Sequence, residues 1–254
     1  MEARGLRDLL SACADTKLLL GYHYGEWTFG APMLESAVAH CSLAQGELGH
    51  VRLLHGILKG TWDEDPDALL EGRPADAFAV PRFLDMALPD WPAVVAMTVV
   101  VDAAVTRIVH ALRDSTFQPM KSCAAKVLEE ERYHEHHGQG WLRTLAADEK
   151  QRPLIASALG RALAAAIEWL GPPDAPDDRA LVSAGVKAAT DWDLGSGLAG
   201  DLVATAAPLG ITVAAPQPSW DGWTAARRRA GPGGPSDEVL YHLRGTKNAV
   251  FRIA

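Results

Sequence analysis

The sequence predicts an all-α protein organised around four long helices, and three observations carry that expectation. Alanine and leucine are abundant and recur with a 3.6-residue period, strand signals are scarce, and one long acidic stretch separates the second periodic block from the third. A first helix is expected over about 5–24, ending near Gly25. Ala31-Pro32 opens a second of about 27 residues that runs to Lys59-Gly60, because proline is tolerated in a first turn whose N–H groups have no helical partner. TWDEDPDALLEGRPAD, 61–76, reads as an acidic loop, and 78–88 as a short helix. Asp90 has the features of an N-cap, with Pro92 in the first turn of a third long helix reaching about Asp114. The fourth is expected over about 117–147. Further helices over about 149–170 and 179–190 flank the breaker run GPPDAPDD, and the Pro- and Gly-rich remainder reads as an extended arm. The chain thus divides into a helical bundle over 1–170 and a C-terminal appendage over 171–254 that packs on it.

Composition narrows the class. With 254 residues, 48% of them hydrophobic, the chain can bury a full core without stapling. A net charge of -8 and a pI near 5.6 argue against a nucleic-acid partner, whose affinity rests on clustered Lys and Arg. Arg227, Arg228 and Arg229 form the one basic cluster, expected to decorate a loop beside GPGGP. Cys13, Cys41 and Cys123 are odd in number and fall on helical stretches, where a free thiol behaves as a small buried hydrophobe. The early charges of MEARGLRDLL do not suit a signal peptide, and no run suggests a membrane span. A soluble, cytoplasmic protein is expected.

EEERYHEHHGQGW, 129–141, crowds four glutamates and three histidines into nine positions. Glu131 and His134 lie three apart, so on a helix they share a face and can bind one ion. A second Glu-x-x-His pair, Glu47 and His50, occurs in GELGH on the second helix. Glu47 shares the apolar stripe of Leu43, Ala44, Val51 and Leu54, so its carboxylate faces inward. Asp102 is the one charge between Pro92 and Arg107, and no rotation of that helix takes it to water. A buried carboxylate needs a cation or a strong donor set opposite it. One carboxylate from each of two helices and a Glu-x-x-His from each of two others is the donor set of a di-iron carboxylate bundle, and a long crossover between helices two and three suits a ferritin-like arrangement. Oxygen-rich ligation with two imidazoles favours iron, as a di-iron or mononuclear centre, or manganese. Glu129, Glu130, Glu135, His136 and His137 fall on other faces and are expected to be solvated or to support the ligands.

LLLGYHYGEWTFGAPMLE, LAQGELGHVRLL, VVVDAAV and EEERYHEHHGQGW together resemble the family of the phenylacetyl-CoA epoxidase oxygenase component, over about residues 16–146. The resemblance implies a ferritin-like fold, a dioxygen-activating oxygenase or oxidase, and an aromatic or acyl-CoA-type substrate such as a CoA thioester. It also implies a reductase, a sister subunit and an oligomeric assembly. As metal ligands it implies Glu47, His50, Asp102, Glu131 and His134, with a further glutamate on the first helix. That position is Lys17 here, and a lysine is no carboxylate ligand; Glu26 lies on the opposite side of a continuous helix.

Three roles for Lys17 stay open: it leaves a site with fewer ligands, it ion-pairs with the ligand carboxylates and keeps metal out, or with a lowered pKa it acts as a catalytic proton donor or nucleophile. Tyr24 is the other candidate catalytic residue, a donor to a ligand or to an oxygen intermediate, and Tyr133 is expected beside it. Arg52 is a candidate partner for Glu131 or for a surface acid, and the sequence does not choose between them. His40, His55 and His110, and Trp27, Trp91, Trp141, Trp220 and Trp223, read as structural. Rivals to the oxygenase are a non-catalytic structural subunit and a stand-alone oxidase of specialised metabolism.

Overall fold

The computed structural model describes residues 2–70 and 73–243, so Glu71 and Gly72 of the acidic loop and 244–254 of the expected arm lie outside the described residues. It is all-α apart from a two-residue hairpin. Four long helices form the body: α1 Glu2–Trp27, α2 Leu34–Trp62, α3 Trp91–Ala111 and α4 Gln118–Ala147. Short connections join α1 to α2 and α3 to α4, while 63–90 make the crossover, as the ferritin-like expectation requires. Beyond them lie α5 Arg152–Leu170, α6 Pro176–Ser183, α7 Asp191–Ala206, the strands β1 Trp223–Thr224 and β2 Arg229–Ala230, and α8 Asp237–Leu243.

Local chemistry explains most boundaries. Asp90 caps α3, its carboxylate accepting from the Ala93 N–H at 2.9 Å with Pro92 in the first turn. α2 starts two residues later than expected, after an extended Met33, which leaves Pro32 outside the helix. It ends where Asp63 turns left-handed at φ 56°. The expected helix over 78–88 is reduced to one 3-10 turn, Arg82–Leu84. Pro81 restricts Val80 to extended backbone, so Phe78, Val80 and Leu84 reach the core from a strap. α3 carries a π-helical turn over Met97–Asp102, a widening that places Asp102 at its end.

The helix expected at 179–190 is instead α6, which starts earlier at Pro176 and stops before Gly185, where φ is 71°. α7 replaces what the sequence suggests is extended arm. Thr190 caps it by accepting from the Asp193 N–H, and Gly195 lets it press against Ile167 and Leu170 of α5, so packing overrides the low propensity of its glycines. Leu198 and Leu202 of α7, and Val239 and Leu240 of α8, join the same apolar core as α1, α3 and α5.

The arginine cluster also departs from expectation. Arg228 and Arg229 are buried, not displayed on a loop. Arg228 donates to the Trp169 and Leu170 carbonyls at 2.8 and 2.9 Å and pairs with Asp191, which also meets Lys187. Arg229 makes a two-pronged pair with Asp85 at 2.8 and 2.9 Å. Gly171, at φ 107°, ends α5 where a side chain would strike Trp223. Among the thiols only Cys13 is buried; Cys41 is exposed and Cys123 half-buried. α3 and α5 are apolar and long enough to cross a membrane by composition, contrary to the sequence expectation, but 83% of the α3 window is buried inside the protein, as a core helix would be.

Candidate metal centre

Four helices aim polar side chains at one point in the bundle. α1 supplies Lys17 and Tyr24, α2 Glu47 and His50, α3 Asp102, and α4 Glu131 and His134; all seven are buried. Each Glu-x-x-His pair presents both members inward, as the three-residue spacing requires. Asp102, set in apolar α3, is 1% exposed. Oxygens of Glu47, Asp102 and Glu131 and a ring nitrogen of His134 all lie within 4.8 Å of one another. Gly138 of α4 makes the approach possible, since a Cβ there would stand 2.8 Å from Thr98 Cγ2 on the π-helical turn.

Lys17 stands inside this group. Its Nζ lies 3.1 Å from Glu47 Oε1, 2.9 Å from Asp102 Oδ1 and 2.5 Å from Glu131 Oε1, one oxygen from each of three helices. On the other side of the carboxylates, His134 Nδ1 is 2.8 Å from Asp102 Oδ2, 3.3 Å from Glu47 Oε1 and 3.8 Å from Glu131 Oε2. His50 Nδ1 is 3.2 Å from Glu131 Oε1 and 3.7 Å from Glu47 Oε2. Its Nε2 meets Glu130 at 2.8 Å, a carboxylate that fixes the ring and leaves Nδ1 facing inward. The Tyr24 hydroxyl contacts Asp102 Oδ2 at 2.8 Å and Thr98 at 3.1 Å, and the Thr106 hydroxyl donates to Glu131 Oε2 at 2.8 Å.

The charges of the group hold one another. Burial disfavours the ammonium of Lys17, but Asp102, Glu131 and Glu47 outweigh it and lift its pKa well above the ordinary lysine value. That direction runs against the lowered pKa that a proton-donor or nucleophilic role for Lys17 would need. Burial likewise opposes ionised Asp102, yet Lys17 and His134 hold it well below the usual carboxylate range. Glu47 is pushed up by burial and by Asp102. Against burial, Glu131 and Glu47 raise His50 to about 9, and Asp102 and Glu47 raise His134 to about 10. Without a metal, the ammonium of Lys17 and the two imidazoles face the three carboxylates.

The donors also fit a divalent cation. Ligands about 2.1 Å from one ion stand roughly 3.0–3.4 Å apart in octahedral or tetrahedral geometry, and the contacts around His134 Nδ1 bracket that spacing. Glu47 Oε2 is buried with no hydrogen-bond partner, the condition of a ligand atom.

Some expectations are corrected at the site. Tyr133 is 73% exposed and does not flank the carboxylates. Of the two places open to Arg52, the exposed one is found, and Glu131 is held by Lys17, Thr106 and His50. Glu26 faces outward, and Glu129, Glu135 and His136 are exposed, as their helix faces predict. His40 packs edge-on against Tyr24 with Trp91 on its other side, while His110 is exposed. Thr98 and Thr106 were not anticipated, although their places one turn before and after Asp102 put them on its face.

Two cavities reach the group. One of about 700 Å³ opens between α2 and α4 over Gly46, Gly49, His50 and His134. Another of about 800 Å³ lies between α3, α4 and α7; Asp102, Glu131 and His134 line it, with Arg107, Arg113 and Arg132 also in its wall.

No curated protein sequence matches this chain. The family model described as phenylacetic acid catabolic protein does match, over residues 2–227, a span that takes in all four bundle helices and every residue of the buried group. This chain belongs to the phenylacetic acid catabolic protein family.

Proposed function

We propose that the chain is the metal-binding subunit of a non-haem iron oxygenase or oxidase acting in phenylacetate catabolism. The observation that carries the reading is the buried constellation of Glu47, Asp102, Glu131 and His134, with His50 beside it, at the junction of four helices. Iron bound there would supply a redox centre with coordination positions open to dioxygen, and manganese would suit the same donors. Tyr24 and Thr106 orient Asp102 and Glu131 through their hydroxyls, and Glu130 fixes the ring of His50. Lys17 stays protonated and holds the three carboxylates in register, so it is a positioning residue.

The cavity between α3, α4 and α7 can admit substrate to the carboxylates. Its volume suits a small-molecule acyl group. Its wall is mixed in charge, with Arg107 paired to Asp201 and Glu135 nearby, and Arg132 is the cation there best placed for an anionic group of the CoA thioester that the family resemblance implies. Phe29 is 98% exposed, with Leu34, Val38 and Met33 exposed nearby in sequence, an apolar surface suited to a sister subunit or a second copy. A separate reductase would deliver electrons. A cytoplasmic location follows from the catabolic role.

Anaerobic reconstitution with Fe(II), metal analysis and optical spectra before and after oxygen test this reading. Bound iron that responds to oxygen is the expected result. A chain that takes up no iron refutes it and leaves a structural subunit, the reading favoured by a lysine ammonium already seated among the carboxylates.

A further inference from the structure

Resting on the metal-binding reading, we infer that this site takes one divalent ion and not two, because the ammonium of Lys17 stands as the second cation. Lys17 takes Glu47 Oε1, Asp102 Oδ1 and Glu131 Oε1. Asp102 Oδ2 and Glu131 Oε2 turn toward His134 Nδ1, and Glu47 Oε1 lies between the two sides. His134 therefore gathers three carboxylates, and the mutually close donor set is Glu47, Asp102, Glu131 and His134.

A second position would lie on the His50 side, between Glu47 Oε2, Glu131 Oε1 and His50 Nδ1. Its further ligand would have to come from α1, where the side chain that arrives is Lys17. An ammonium has three donors and no lone pair, so it cannot ligate. It also sits 2.5 Å from Glu131 Oε1, an oxygen that position needs, so it opposes a divalent ion there by like charge. Lys17 is fully buried, on a helix that packs along α2.

Mn(II) is the probe, since it binds the same donors without oxidising. Equilibrium titration of chelator-stripped protein, read by the electron-paramagnetic-resonance signal of free Mn(II) and by elemental analysis, should give one ion per chain. His134→Ala should weaken that binding by about 100-fold or more, beyond the 10–100-fold typical of supporting residues, while His50→Ala should keep one ion within about tenfold. Lys17→Glu should add a second ion, seen as a spin-coupled pair. Two ions on the wild-type chain, retention of the ion by His134→Ala, or its loss from His50→Ala each overturn the inference while leaving a metal-binding protein. No ion on the wild-type chain overturns the metal-binding reading as well.

Discussion

Replacing Lys17 by methionine tests the electrostatic core of the molecule directly. Methionine nearly matches the stem in length and keeps the apolar packing, but it removes a charge from which Glu47, Asp102 and Glu131 each draw a contact of 2.5–3.1 Å. All three carboxylates are buried, so their loss of the ammonium is poorly compensated by solvent. Removing one partner of a buried ionic group costs about 3–5 kcal/mol, because the surviving charges remain desolvated. For a chain of this length that corresponds to a fall in Tm of roughly 6–20 °C. The measurement is thermal and urea unfolding of chelator-stripped wild-type and variant protein, repeated with Mn(II). The variant should lose that stability without metal and regain more of it than the wild type when the ion is added, since a cation returns to the place the lysine left. A chelated variant within about 1 kcal/mol of the wild type would refute the reasoning, because the carboxylates would then not depend on Lys17 for their charge balance.

Other consequences can be checked in the same unfolding assays. Arg228→Met should cost about 3–5 kcal/mol by leaving Asp191 buried beside Lys187 with its guanidinium partner gone, and an effect within experimental error would contradict the buried network. Gly138→Ala should cost about 1–3 kcal/mol, because the added Cβ meets Thr98 Cγ2 at 2.8 Å and pushes the π-helical turn off α4; a neutral or stabilising result would mean that α3 is free to shift. His23 is buried, and burial lowers its pKa to about 4, while in the unfolded chain it titrates near 6.5. The unfolded state thus binds the extra proton between those values, so this residue leaves stability intact above about pH 6.5 and erodes it as pH falls toward 4. Between pH 6.5 and 4.5 the loss is about 2–3 kcal/mol. His23→Gln should flatten that part of the pH profile, and an unchanged slope would rule the residue out as its source.

The sequence makes the site legible where local pattern alone decides burial. Asp102 is such a case: an acid amid VVV and AAV has no exposed face to occupy, and it is 1% exposed. The two Glu-x-x-His pairs are legible for the related reason that three residues on a helix return to one face. Elsewhere the decisive contact is distant. Arg228 and Arg229 look like loop decoration until Asp191 and Asp85 arrive from 37 and 144 positions away to hold them. α7 escapes a propensity reading because Gly195, locally a helix weakener, is the close approach that lets α7 lie on α5. The π-helical turn in α3 has no residue signature of its own and lies where α3 comes closest to Gly138.

That division also separates where a cation can bind from how many the site accepts. The place is written in α2, α3 and α4, whose acids and imidazoles converge because each helix has one inward face. The capacity is set by α1, through a lysine 30, 85 and 114 positions from the carboxylates it touches. A motif confined to the Glu-x-x-His pairs is therefore the same for one ion or two. What distinguishes the cases is the sign of one buried charge on the first helix: an acid there would add a ligand and one negative charge, whereas Lys17 adds a positive charge and no ligand. The change of two charge units equals the charge of one divalent ion, so within this fold Lys17 and the missing ion are electrostatic equivalents.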